Sequence, residues 1–253
     1  MTLLRVNVGG LDFFGHRGPF AIGKDGFTGW DDQTYRKDST ARPNSHGNFP
    51  APSYREAKTV NLNGHIIADG ADQLNHFMDR FNGILTEGGT GKLTVQRPWG
   101  ARWAPVASIV SRKALEVGGL TRGTFALVLQ IDDPCKYGKR NSPVAKPGEP
   151  TYLVQRGNAD AWAVITVAGS MPLGYTVKIG STLIDVSAPL VSGAPHTIDM
   201  AMRRLKVGGA WEYQSLHATT FPPVKPGPRQ SFSLTPFEGG TGSATAVFYD
   251  TYS

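Results

Sequence analysis

The side chains that most often do chemistry are sparse in this sequence and poorly spaced for it. Six histidines (His16, His46, His65, His76, His196 and His217) are scattered over 253 residues. None forms a His-x-x-x-His pair, and none sits at ligand spacing from the lone Cys135, so no zinc-type cage is legible. Asp31-Asp32 and Asp132-Asp133 are adjacent carboxylates, without the spaced oxygen donors of a calcium loop. Gly88-Gly89-Thr90-Gly91-Lys92 has the look of a phosphate loop. However, Thr86 stands where its first glycine belongs and Leu93 where its Ser/Thr belongs, and the stretch leads from a helix into a strand. There is no Gly-x-Ser-x-Gly elbow. A glycosidase carboxylate pair has no fixed spacing, and nothing points to one. The expectation is a protein that is not an enzyme and has no catalytic residues, cofactor or metal.

Two other residue sets suggest contact rather than catalysis. Residues 31–57 have no apolar period. With the preceding Trp30 they carry spaced aromatics (Trp30, Tyr35, Phe49 and Tyr54) among cations (Arg36, Lys37, Arg42 and Arg55). Aromatic anchors rimmed by charge are the composition of an interface, so this stretch is expected to be an irregular arm that orders on a neighbouring subunit. In the second half, Trp162, Tyr175, Trp211, Tyr213 and Phe221 could form a platform for a sugar ring. Alternation favours the core for Trp162, which would share a face with Val164, and for Tyr175 with Val177 and Ile179. Trp211 and Tyr213, beside the Gly208-Gly209 turn, are the better candidates for glycan or partner contact.

These residues must be held by a mainly β chain. Gly (31) and Pro (18) are frequent, which favours turns over long helices. Strands are expected at 2–8, 58–67, 92–97, 101–111 and 124–131, while 18–30 reads as turns. One helix is clear, over about 71–84: Leu74, Phe77, Met78 and Phe81 make one apolar stripe, with Asp69 or Asp72 as cap and Gly83 as stop. After residue 150 only short strands appear, at 162–169, 174–180, 181–186, 196–200, 203–207, 210–215, 230–236 and 244–252, as in an antiparallel sandwich. The Pro/Gly-rich, basic stretch 132–152 reads as a connector. The expected division is 1–138, a linker at 139–151, and 152–253. Glu87-Gly-Gly-Thr-Gly91 and Glu238-Gly-Gly-Thr-Gly242 read as similar turns, not a duplication.

The net charge is +6, of which +5 lies in residues 1–150, without a block of like charges. This is a solvated surface rather than a nucleic-acid footprint. No run is long and apolar enough for a membrane span, and the opening residues lack the pattern of a secretory signal. A single cysteine excludes an internal disulfide and fits a reducing compartment.

Three stretches together resemble the distal tail proteins (minor tail proteins) of long-tailed, non-contractile phages, of the kind found in phages of actinobacteria, over the whole chain. The first is "RPNSHGNFPAPSYREAKTVNLNGHI" followed by "ADQLNHFMDRFNGIL" and "GKLTVQRPWG". The second is "LVLQIDDPCKYG". The third runs from "GNADAWAVITVAGSMPLGYTVKIG" through "HTIDMAMRRLKVGGA" to "QSFSLTPFEGGTGSATAVFYDTYS". Arg156 departs from the pattern, standing where an asparagine is expected. The resemblance implies an N-terminal, β-sandwich-like, ring-forming domain with one helix, and a C-terminal galectin-like or carbohydrate-module-like β-sandwich. It implies a structural protein of the virion tail tip, made in the host cytoplasm. Its hexameric ring would join the tail-tube protein to the tail hub protein and to a tail fibre or receptor-binding protein. DNA would cross the open lumen without specific binding, past a wall poor in Lys and Arg. A carbohydrate-binding module for host cell-wall glycan is the alternative.

Overall fold

The computed structural model describes residues 4–15, 18–86 and 89–253. His16, Glu87, Gly88 and the first residues of the expected strand 2–8 lie outside them. The chain divides into two compact units, residues 1–136 and 137–252.

In the first unit the strands are β1 (Arg5–Val8), β2 (Leu11–Phe14), β3 (Phe20–Thr28), β4 (Tyr35–Lys37), β5 (Ser53–Arg55), β6 (Lys58–Ile67), β7 (Gly91–Arg97), β8 (Gly100–Val106), β9 (Ser108–Glu116) and β10 (Arg122–Ile131). Eight of them form a sheet in the order β8-β7-β1-β2-β3-β6-β10-β9, in which only β2 and β3 are parallel. Alternation drives it: Phe125, Leu127, Leu129 and Ile131 of β10 face the core opposite Val60 and Leu62 of β6. The single described helix, α1 (Ala71–Asn82), buries Leu74 and Phe81, with Phe77 and Met78 partly buried. Phe13, Phe20 and Phe125 pack beneath it against Phe81, in tilted and edge-on pairs and, for Phe20 and Phe81, a stacked one, with centroids 5.1–6.4 Å apart.

Several local expectations are corrected. The helix is capped by Gly70 without a side-chain bond, so neither Asp69 nor Asp72 caps it. Asp72 instead lies in the first turn, where the helix dipole favours a carboxylate. Residues 18–30 are mostly the strand β3, whose glycines serve a bulge against β6 rather than a series of turns. The single strand expected at 101–111 is two, broken at Ala107.

In the second unit the strands are β11 (Lys136–Asn141), β12 (Val144–Ala145), β13 (Thr151–Leu153), β14 (Val164–Ser170), β15 (Tyr175–Ile179), β16 (Thr182–Val186), β17 (His196–Asp199), β18 (Arg204–Val207), β19 (Ala210–Glu212), β20 (Leu216–His217), β21 (Gln230–Pro236) and β22 (Thr241–Tyr252). One sheet runs β19-β18-β17-β14-β22-β11, with β12 on β22. The other runs β13-β21-β15-β16-β20. Their inner faces share one core that includes Ile165, Val167, Tyr175, Val177, Ile198, Phe232 and Phe248, the arrangement of a β-sandwich. Gly208 and Gly209 turn β18 into β19 with φ of +55° and +91°, the mirror-type turn a tight hairpin needs.

Residues 139–151 are not a free linker. Asn141 ends β11, Ala145 of β12 is fully buried in the second core, and the Pro143 carbonyl accepts a bond from the Ala246 amide. Prolines and glycines there shape strand ends and a turn against β22 and β21, a use that composition alone does not separate from a connector.

Candidate subunit-contact site

The arm is a β-hairpin. β4 and β5 pair with each other and with no other strand, in the register Tyr35↔Arg55, Arg36↔Tyr54 and Lys37↔Ser53. Farther out, Ala41 faces Asn48, the Arg42 amide donates to the Gly47 carbonyl, and Asn48 Nδ2 donates to Ser39 Oγ at 3.0 Å. Backbone bonds hold the hairpin while neither of its faces is covered, and every residue from Thr34 to Pro50 is exposed. An exposed strand pair has no apolar period, which is why the segment reads as irregular in sequence. Tyr35 (58% exposed) and Tyr54 (55%) lie at adjacent register positions, hence on opposite faces. At the tip the Arg42 guanidinium lies 5.6 Å from the Phe49 ring centroid. An isolated hairpin is marginal in water, so its root matters.

That root is a charged cluster over a buried indole. Gly29, at φ +84°, lets the chain pass so close to the Thr59 carbonyl that a Cβ would collide with it. Trp30 then enters the core at 2% exposure. It is therefore an anchor inside its own chain and is removed from the set of subunit contacts. Asp31 accepts hydrogen bonds from Arg97 (2.6 Å) and from Lys136 (3.0 Å), whose Nζ also lies 5.6 Å from the Trp30 ring centroid. Burial works to raise the Asp31 pKa, but these two cations together hold the carboxyl below its ordinary value. Lys58 is buried beside them with no hydrogen-bond partner for its Nζ among the described residues. Burial, then the charge of Lys136, pushes its pKa down. Arg55 turns back to the Cys135 sulfur at 3.9 Å, and burial followed by the Asp133 charge pushes that thiol up. Arg55 is thus half-buried at the root, while Tyr35, Arg36, Arg42, Phe49 and Tyr54 project. The sequence gives no signal for the cluster, because Asp31 lies 66 and 105 residues from its partners.

In the second unit, Trp211 is 38% exposed and Tyr213 73%. Lys206 Nζ lies 4.4 Å and Arg204 Cζ 5.5 Å from the Trp211 centroid, so its ring already has cationic partners. Trp162 is 45% exposed and shares an outward face with Val164, because Ala161, Ala163, Ile165 and Val167 take the core positions. The expected core role for Trp162 is one residue out of register. Tyr175 is fully buried as expected, with its hydroxyl 3.0 Å from His196 Nδ1. The five aromatics do not form a common platform. Among the described residues no group of His, Cys, Asp or Glu could hold a metal. The depression of about 380 Å³ around Lys24, His65, Lys113 and Thr124 has no carboxylate or cysteine in its lining. No described helix is long and apolar enough to cross a membrane.

No family model and no curated protein matches this sequence. Solved structures do match its shape. The SPP1 Dit protein, described as a paradigm of the hub adsorption apparatus in phages infecting Gram-positive bacteria, aligns over 100% of both chains with a TM-score of 0.71 at 14% identity. Chains of the phage P2 baseplate in its activated conformation, with Ca and with Sr, cover 97% of this chain and 98% of theirs. Their TM-scores are 0.52 and 0.54, at 8% and 9% identity. The chain shares the mainly β fold of SPP1 Dit and of these P2 baseplate chains.

Proposed function

We propose that this protein is a structural component of a phage tail tip, that it assembles into a ring, and that the β4–β5 hairpin is the arm that closes the ring. The observation that carries the reading is the hairpin itself. It holds its shape and is anchored by Trp30 and the Asp31 ion pairs, yet from Thr34 to Pro50 it buries nothing in its own chain. The fold shared with SPP1 Dit and the P2 baseplate chains supports the location. The ring is a homo-hexamer, seated between the tail-tube protein and the tail hub, with fibre or receptor-binding proteins beyond. The protein is made in the host cytoplasm, ends in the virion and has no catalytic role.

The sheet β3-β6-β10-β9 supports a lumen for DNA. Its outward face carries Thr28, Thr59, Asn61, Asn63, Thr124 and Gln130, with cross-strand bonds from Asn61 to Thr28 (3.3 Å) and from Thr59 to Gln130 (3.4 Å). Lys113 and Arg122 share that face, and Lys24 and His65 line a depression on it with Lys113. The hydroxyls and amides along the middle of β6 carry no charge to hold passing phosphates.

Limited proteolysis tests the arm. Cleavage within residues 31–57 is expected to be rapid in the isolated chain and suppressed in assembled particles. Equal rates in both would contradict it.

A further inference from the structure

We infer that the arm of one copy docks on the neighbouring copy at the far end of β6, where α1 begins. This rests on the ring proposed above and names the surface that receives the arm. The arm leaves the fold at the start of β6, beside Trp30 and Lys58. The proposed seat lies at the other end of that ten-residue strand, about 30 Å away at a rise of ~3.3 Å per residue. At that end Ile67 (48% exposed), Val117 (49%) and Leu120 (64%) are uncovered. They belong to one place: Arg122 pairs with Ile67, the Val117 amide donates to Arg122, and the Ala68 amide donates to Thr121. Two exposed carboxylates, Asp69 and Asp72, border this apolar patch, and the Asp69 amide is pinned to Gln73 Oε1 at 2.6 Å. Neither carboxylate has an ion pair among the described residues. Arg122, the register partner of Ile67, and Glu116, next to Val117, also flank the patch, one charge of each sign.

The arm has the complementary composition. Its exposed aromatics suit the apolar patch, and Lys37 and Arg42, which have no carboxylate partner among the described residues, suit Asp69 and Asp72. Because the arm is exposed throughout residues 34–50, it does not occupy its own chain's patch. Two unlike surfaces at opposite ends of one strand make a head-to-tail contact, the kind that generates rings.

A charge-swap experiment tests this by light scattering over a concentration series. Lys37→Glu with Arg42→Glu is expected to weaken self-association at least tenfold, and so is Asp69→Lys with Asp72→Lys. All four together are expected to recover most of the loss. Circular dichroism checks that each variant is folded, as exposed positions should allow. If the wild type associates but ignores these changes, or if the fourfold variant is weaker than either pair, the seat is overturned and the ring stands. If the wild type is monomeric at every concentration, both are overturned.

Discussion

Asp31 is the residue on which the arm's posture depends. It is the shared acceptor for Arg97 and for Lys136, whose side chain is 4% exposed. Asp31→Asn would leave a buried ammonium short of its counter-charge. The loss should be about 1 kcal/mol, because the carboxylate itself is half in water. Denaturant titration measures it, and trypsin cleavage at Arg36 or Lys37 should accelerate in parallel. Unchanged stability and cleavage would remove Asp31 from the account. In the second unit, burial holds the His196 imidazole below its ordinary value of 6.5. Between that lowered value and 6.5 the unfolded chain binds a proton that the folded chain does not. The resulting stability is fully present above about pH 6.5 and falls as pH drops through the window. The urea midpoint of the wild type should therefore fall more between pH 7 and pH 5 than that of His196→Gln, and equal slopes would contradict this.

At the scale of elements, arm and core should separate cleanly. Replacing the outer hairpin, residues 38–50, by a short glycine turn removes only exposed side chains. Thermal stability should change by no more than about 0.5 kcal/mol, while self-association is lost. Phe81→Ala does the opposite. It opens a cavity among Phe13, Phe20 and Phe125 and should cost about 3–5 kcal/mol. Legibility in sequence follows the same division. Helix α1 and strands β6 and β10 are readable because one face of each is buried and writes a period into the residues. The hairpin strands β4 and β5 are not, because with both faces in water no position is constrained to be apolar. Trp30 was legible as an anchor, but whether it anchors to its own chain or to another depends on a fold that brings Lys136 to it. Trp162 misleads because alanines occupy the inward positions on either side of it. The connector at 139–151 misleads because strand ends and linkers draw on the same prolines and glycines.

For the whole molecule, the proposal joins two β units to an exposed arm and has copies of the chain complete one another. The central claim is therefore most directly tested by the mass of the purified protein in solution, read by light scattering across a concentration series. The account predicts a species approaching six times the 27.2 kDa chain, or a concentration-dependent climb towards it. A strict monomer at every concentration would contradict it.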